Sequence, residues 1–241
     1  NIQIRQTAFH PTNANKVWPG TFALADLILK NKTNYLAENS VDLTSNDGSV
    51  NRTYFAVELG AATGALSVFL RLHGCDIVTS DYDDGGDIEE CININMSQNG
   101  LSPGLHIPHT WGTDWHESFR SALRRYSKDS SNVDAMQFRC RIIFASDILL
   151  YVSAYESLVA TLLVLFTQCQ AQQFVMAWNR RIAASQQFFE LMRQAGFHCA
   201  RQVDGRGVFV FTLPEPNLPS SCSTSSVNDS CSGGAQEEDA S

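Results

Sequence analysis

The segment Val57-Glu58-Leu59-Gly60-Ala61-Ala62-Thr63-Gly64 joins a β-prone run (54–59) to apolar residues at helical spacing (66–73). A strand that ends on glycine and passes at once into a helix forms a crevice at the carboxyl edge of an open α/β sheet, where ligands bind. Gly60, Ala61, Ala62 and Gly64 are small enough for the backbone to approach such a ligand closely. Asp81 follows the next β-prone run, 76–80, where a carboxylate accepts hydrogen bonds from ribose hydroxyls. Singly, the loop is also what an ordinary strand–turn–helix junction looks like. Asp81, crowded by Asp83 and Asp84, also resembles a solvated turn acid. Together, in this order, they point to a ligand of nucleotide type. The GxGxxG spacing that cradles a pyrophosphate is not met, and Glu58 so close to a pyrophosphate would repel it. A cationic sulfonium with an amino-acid tail tolerates or welcomes that acid.

The elements that must position these residues alternate along the chain. Apolar residues at 24, 27 and 28 predict a helix over about 20–30, started by Pro19 or Gly20. Further strands are expected at 76–80, 105–110, 140–146 and 173–178. Helices are expected at 66–73, 88–99, 154–169 and 183–195, with a polar helix and loop over 116–134. Pro108 places the third strand at an edge. Alternation of this kind implies a parallel sheet covered on both faces. The runs 197–203 and 208–213, joined by Asp204-Gly205-Arg206-Gly207, carry a hairpin signal. The expected fold is therefore α/β and doubly wound, a Rossmann-like seven-strand sheet, mostly parallel with a C-terminal antiparallel hairpin. Residues 1–16 read as an irregular lead-in, 17–213 as one domain, and 214–241 as a Ser-rich acidic tail whose composition predicts disorder.

Composition narrows the function. The 241 residues are 44% hydrophobic and 17% charged, with a net charge of −8. Five of those charges (Glu215, Asp229, Glu237, Glu238 and Asp239) lie in the tail, so the rest carries about −3. Neither part has the basic footprint of a nucleic-acid binder. The seven cysteines show no CxxC pair and no zinc-ligand spacing with histidine, so no metal site is expected and a reducing compartment fits. The longest apolar stretch, 158–166, is too short to span a bilayer, and no signal peptide is expected. The expected setting is the cytoplasm, with the nucleus also compatible, and the expected state is a monomer that meets a protein substrate.

Four segments together resemble the methyltransferase-like family of seven-strand protein-lysine methyltransferases: Val17-Trp18-Pro19, residues 58–64, Trp111-Gly112, and Ala145-Ser146-Asp147. The resemblance spans about residues 17–213. It implies S-adenosylmethionine as cofactor, held by Trp18, Glu58, Gly60, Ala61, Ala62, Gly64, Asp81, Trp111 and Ala145. Aromatic faces at 18 and 111 suit adenine or a cation. Two departures stand out. Ala62 replaces the middle glycine of the family loop. The aromatic expected after Asp147 with two residues between them is displaced, with Leu150 at that offset and Tyr151 one place later.

Methyl transfer to an amine is an in-line displacement, which needs a neutral nucleophile held in position. Asp147 and Tyr151, at the carboxyl end of the fourth strand, are the candidate catalytic pair. Asp147 is read as orienter or weak base, and Tyr151 as a wall of the acceptor channel. The plainer readings are a helix cap near Ala154 for Asp147 and a core residue for Tyr151. The six histidines read as structural or solvated, and Asp81–Asp87 lacks the ligand alternation of a calcium loop. Lysine is the expected acceptor. A histidine or small-molecule acceptor remains open, as does a catalytically silent domain that binds partners. A dehydrogenase would need a Tyr-x-x-x-Lys pair after the fourth strand, which is absent.

Overall fold

The computed structural model describes residues 1–36, 43–44, 50–51, 53–126, 133, 136–179, 182–201 and 207–214. Seven strands form one sheet: β1 (Thr53–Leu59), β2 (Ile77–Asp81), β3 (His106–Pro108), β4 (Arg139–Ser146), β5 (Gln173–Ala177), β6 (His198–Arg201) and β7 (Val208–Thr212). Their order across the sheet is β3-β2-β1-β4-β5-β7-β6. The first five are parallel, whereas β7 runs antiparallel to both β5 and β6. The expected mixed seven-strand sheet is thus the observed one, with Pro108 closing the three-residue edge strand β3. The residues Asp204–Arg206 proposed for the hairpin turn, and 215–241 of the tail, lie outside the described residues.

Register explains why the strands read as near-continuous apolar runs. Val78, Val57, Ile143, Phe174 and Phe211 are aligned across β2, β1, β4, β5 and β7. All five are fully buried and belong to one core. That core is closed by helices α4 (Trp115–Tyr126), α5 (Tyr155–Thr167) and α6 (Ser185–Gln194), through Phe119, Leu158 and Phe188 among others. Their neighbours Ala56, Ile77, Ile142 and Val175 face the other way. They pack on α1 (Pro19–Lys30) and α2 (Ala65–Leu72) through Leu24, Ile28, Leu66 and Leu70. Strands buried on both faces have no polar side to alternate with. Helix α3 (Asp87–Gln98) adds a third apolar cluster, where Ile88, Ile92 and Met96 meet Val68, Ala61 and Ala62.

The chain winds outward from β1 to β3, then returns to the other side of β1 to lay down β4. The chain therefore leaves the carboxyl ends of β1 and β4 towards opposite faces of the sheet, which opens the crevice of a topological switch point.

Candidate active site

Four strand ends and the N-terminal segment enclose a cavity of about 430 Å³ in that crevice. Of the residues singled out from sequence, Trp18, Gly60, Ala62, Asp81, Trp111, Asp147 and Tyr151 line it. Glu58, Ala61, Gly64 and Ala145 stand behind the walls.

The loop after β1 is built on three left-handed residues at alternate positions, Gly60 (φ 67°), Ala62 (φ 51°) and Gly64 (φ 70°). A Cβ on Gly60 would lie 2.7 Å from Ile148 Cγ2, so neither the backbone angle nor the space admits a side chain. Ala62 holds its unfavourable angle because Asp81 Oδ2 accepts its N–H at 2.7 Å. Asp81 Oδ1 accepts the Tyr82 N–H, also at 2.7 Å. One carboxylate thus shapes the loop and ends β2. Burial outweighs these two hydrogen bonds and raises the Asp81 pKa above the usual carboxylate value.

Glu58 does not offer its charge to the cavity. Its Oε2 accepts from Ser67 N–H at 3.0 Å and Ser67 Oγ at 2.5 Å, so it ties β1 to α2. Burial pushes its pKa up to about 8, against the opposing pull of both Ser67 bonds. At neutral pH it is therefore chiefly an uncharged acid, not the negative charge expected beside a sulfonium. Ala145 is fully buried in the sheet, and the cavity begins at the next residue, Ser146.

Asp147 is buried, with a left-handed φ of 53°. Its Oδ2 accepts the Gly20 N–H at 2.7 Å. Gly20 lies in the first turn of α1, where backbone N–H groups lack helical partners and favour an anion. Asp147 is thus a cap, although for α1 and not for the helix near Ala154. Thr21 Oγ1, 3.1 Å from Ser146 Oγ, reinforces the joint. A Cβ on Gly20 would sit 2.8 Å from Asp147 Oδ2, so the close approach requires glycine there. The joint fixes the chain just after Trp18, whose indole walls the cavity.

The sequence reading missed the part played by residues 1–16. Thr12, Asn13 and Ala14 line the cavity. Their segment is strapped to α3 by two asparagines one helical turn apart. Asn99 accepts from Gln3 N–H at 2.9 Å and donates to Gln3 O at 2.6 Å. Asn95 accepts from Arg5 N–H at 2.6 Å and donates to Arg5 O at 3.3 Å and to Thr63 O at 2.8 Å. Each amide pairs with the strap as a neighbouring strand would. The strap then reaches the opposite wall, where Asn13 Nδ2 donates to Tyr151 Oη at 2.7 Å. Trp18 Nε1 donates to Asn13 O at 3.0 Å, and His10 Nε2 lies 3.1 Å from Asp84 Oδ2. An asparagine pair at i, i+4, of which Asn95 is buried and Asn99 partly exposed in the fold, was the signal available in the sequence.

The cavity volume is ordinary for a small-molecule site. Its close backbone approach at Gly60, its carboxylate at the end of β2 and its two indoles fit an adenosyl group. Among the described residues, no group of three acidic, histidine or cysteine side chains could hold a metal ion, and no helix is long and apolar enough to cross a membrane.

A family model described as lysine methyltransferase matches residues 1–195. Comparison with curated proteins returned no match. Among solved structures, the chain is similar to a ribosomal protein L11 methylase from Lactobacillus delbrueckii subsp. bulgaricus, with 12% identity, a TM-score of 0.46 and coverage of 85% of this chain and 88% of that one. It is also similar to a human methyltransferase 10 domain containing protein, with 12% identity, a TM-score of 0.43 and coverage of 82% of each chain. A magnesium protoporphyrin IX methyltransferase from Synechocystis PCC 6803 with bound SAH matches at 11% identity and a TM-score of 0.45, over 81% of this chain and 84% of that one.

Proposed function

We propose that this chain, which belongs to the lysine methyltransferase family and is a methyltransferase dependent on S-adenosylmethionine, methylates the side-chain amine of a lysine in a protein substrate. The observation that carries the reading is the joining of a nucleoside-type site to a tyrosine-walled mouth in one cavity. Asp81 and the Gly60 loop line it together with Tyr151, which is 43% exposed.

When bound, S-adenosylmethionine supplies an electrophilic methyl carbon on a positively charged sulfur. Asp81 is placed to accept ribose hydroxyls while it holds the Ala62 turn. Trp18 and Trp111 offer flat apolar faces. Tyr151, 43% exposed and held by Asn13, is proposed to wall the channel by which a side chain enters. Asp147 is proposed to orient the site through its hold on α1.

The amine must arrive neutral. Both carboxylates lining the cavity already accept backbone N–H bonds, and His109 is engaged at both ring nitrogens. Removal of the ammonium proton is therefore assigned to solvent. The rate at fixed cofactor should rise with pH, by up to about tenfold per unit, towards the lysine pKa near 10.4. The testing experiment offers lysine- and histidine-containing peptides with radiolabelled cofactor and identifies the labelled residue after hydrolysis. Label on histidine, or only on small molecules, would set the lysine assignment aside.

A further inference from the structure

His109 is one of the buried polar side chains, and it stands at the cavity wall outside every role assigned above. Its backbone N–H donates to Asp81 O at 2.8 Å, which carries the β2–β3 pairing one step beyond Pro108. Its ring packs edge-on to Trp115 at 4.9 Å. The ring hydrogens follow from counting donors. Thr113 Oγ1 gives its hydrogen to Thr110 O at 2.7 Å, and Ser118 Oγ gives its own to Asp114 O at 3.2 Å. Both oxygens also approach His109 Nδ1, at 3.4 and 3.0 Å, and with their hydrogens assigned to those carbonyls they accept from it. Nδ1 therefore carries the hydrogen, and Nε2 accepts from Thr161 Oγ1 at 3.2 Å. Thr161 Oγ1 in turn accepts the Gly112 N–H at 2.9 Å.

The chain of bonds thus runs from the Trp111-Gly112 turn through α5 to the end of β3 and on to α4. The turn has no slack against α5. Gly112 has φ 87°, and a Cβ there would lie 3.0 Å from Ser157 Oγ. Ser157 and Thr161 are one helical turn apart and touch the same glycine. Trp111, next in the chain, presents its indole to the cavity.

We propose that His109 and Thr161 are positioning residues for cofactor binding, which set the Trp111 indole at its place in the wall. The proposal rests on the reading of this cavity as the S-adenosylmethionine site. Burial lowers the His109 pKa to about 4, in keeping with a ring that stays neutral across the working range.

The experiment is a double-mutant cycle read by calorimetric titration with S-adenosylmethionine, alongside thermal melts without it. T161V keeps the side-chain shape and removes both hydrogen bonds. It should weaken binding about tenfold in the native background and less than twofold in W111A, and T161S should restore native affinity. Ser118→Ala, at the outer end of the network, should weaken binding in the same direction and serves if T161V does not fold. Equal losses with and without Trp111 would overturn the proposal. So would a lowered melting temperature with unchanged affinity, which is the mark of a purely structural bond. Failure of the wild type itself to bind would overturn the cavity reading and this proposal with it.

Discussion

The two halves of the cavity are held together in different ways. On the cofactor side, most side chains close onto backbone or side chain nearby in the chain, and Thr161, 52 positions from His109, is the exception. Glu58 meets Ser67 nine positions on, Asp81 meets Ala62 across 19, and His109 meets Ser118 across nine. On the acceptor side, each joint spans most of the fold. Gly20 to Asp147 crosses 127 positions, Thr21 to Ser146 crosses 125, and Asn13 to Tyr151 crosses 138. The cofactor half is local architecture that a motif can encode. The acceptor half is assembled by tertiary structure, so the loops that form it can change without altering the motif that shapes the cofactor half.

Substitutions can break this contrast or sharpen it. The largest expected effect lies on the local side, at Glu58. Its unfolded carboxyl ionises near 4.5, whereas the folded one holds its proton up to about 8. Between those values the unfolded state binds fewer protons, so stability should fall as pH rises, by a few kcal/mol in all, and level off above about 8. Melting curves of the wild type should show this slope and those of Glu58→Gln should lose it; equal slopes would mean that the carboxyl is not buried as described.

Asp81→Ala should come next. It removes two hydrogen bonds to a charged acceptor, worth about 1.5–3 kcal/mol each, and frees Ala62 from its left-handed angle. Calorimetry should show cofactor affinity reduced about 100-fold. A loss below tenfold would detach Asp81 from the site.

On α3, behind the Gly60 loop, Asn95→Leu should undock the strap. The fully buried amide bonds residues 5 and 63 at once, so about 2 kcal/mol of stability should be lost. Cofactor release should also quicken, as stopped-flow displacement would reveal. Unchanged release with lowered stability would make the strap a packing element alone.

Asp147 carries the smallest expected change and the sharpest diagnostic. Loss of the cap in Asp147→Ala should lower stability by about 1 kcal/mol. Asp147→Asn keeps an acceptor for Gly20 N–H and should retain most of the stability and of the methyl-transfer rate. A stable but inactive Asp147→Asn would instead show that the carboxylate takes part in proton transfer.

The same contrast explains what the sequence disclosed. Strand and helix positions were legible because buried parallel strands leave continuous apolar runs, and Pro108 marked the edge strand. The Gly60 loop and Asp81 were legible because they lie on consecutive elements in a fixed order. Glu58 was recognised as an unusual acid, but its direction was not, because one strand residue gives no hint of a partner on the following helix. Asp147 was noticed, yet its partner Gly20 is remote in sequence and only the fold brings them together. Residues 1–16 read as a lead-in because they have no period of their own. Their hydrogen-bond partners are the side chains of Asn95 and Asn99, and irregular backbone satisfied by another element's amides leaves no pattern in itself.

The central claim is most directly tested by incubating the purified chain and its Asp81→Ala variant with radiolabelled S-adenosylmethionine and a protein extract, then hydrolysing the labelled protein to amino acids. Labelled methyl-lysine is expected with the native chain and almost none with the variant. Label confined to another amino acid, or equal label with both chains, would contradict it.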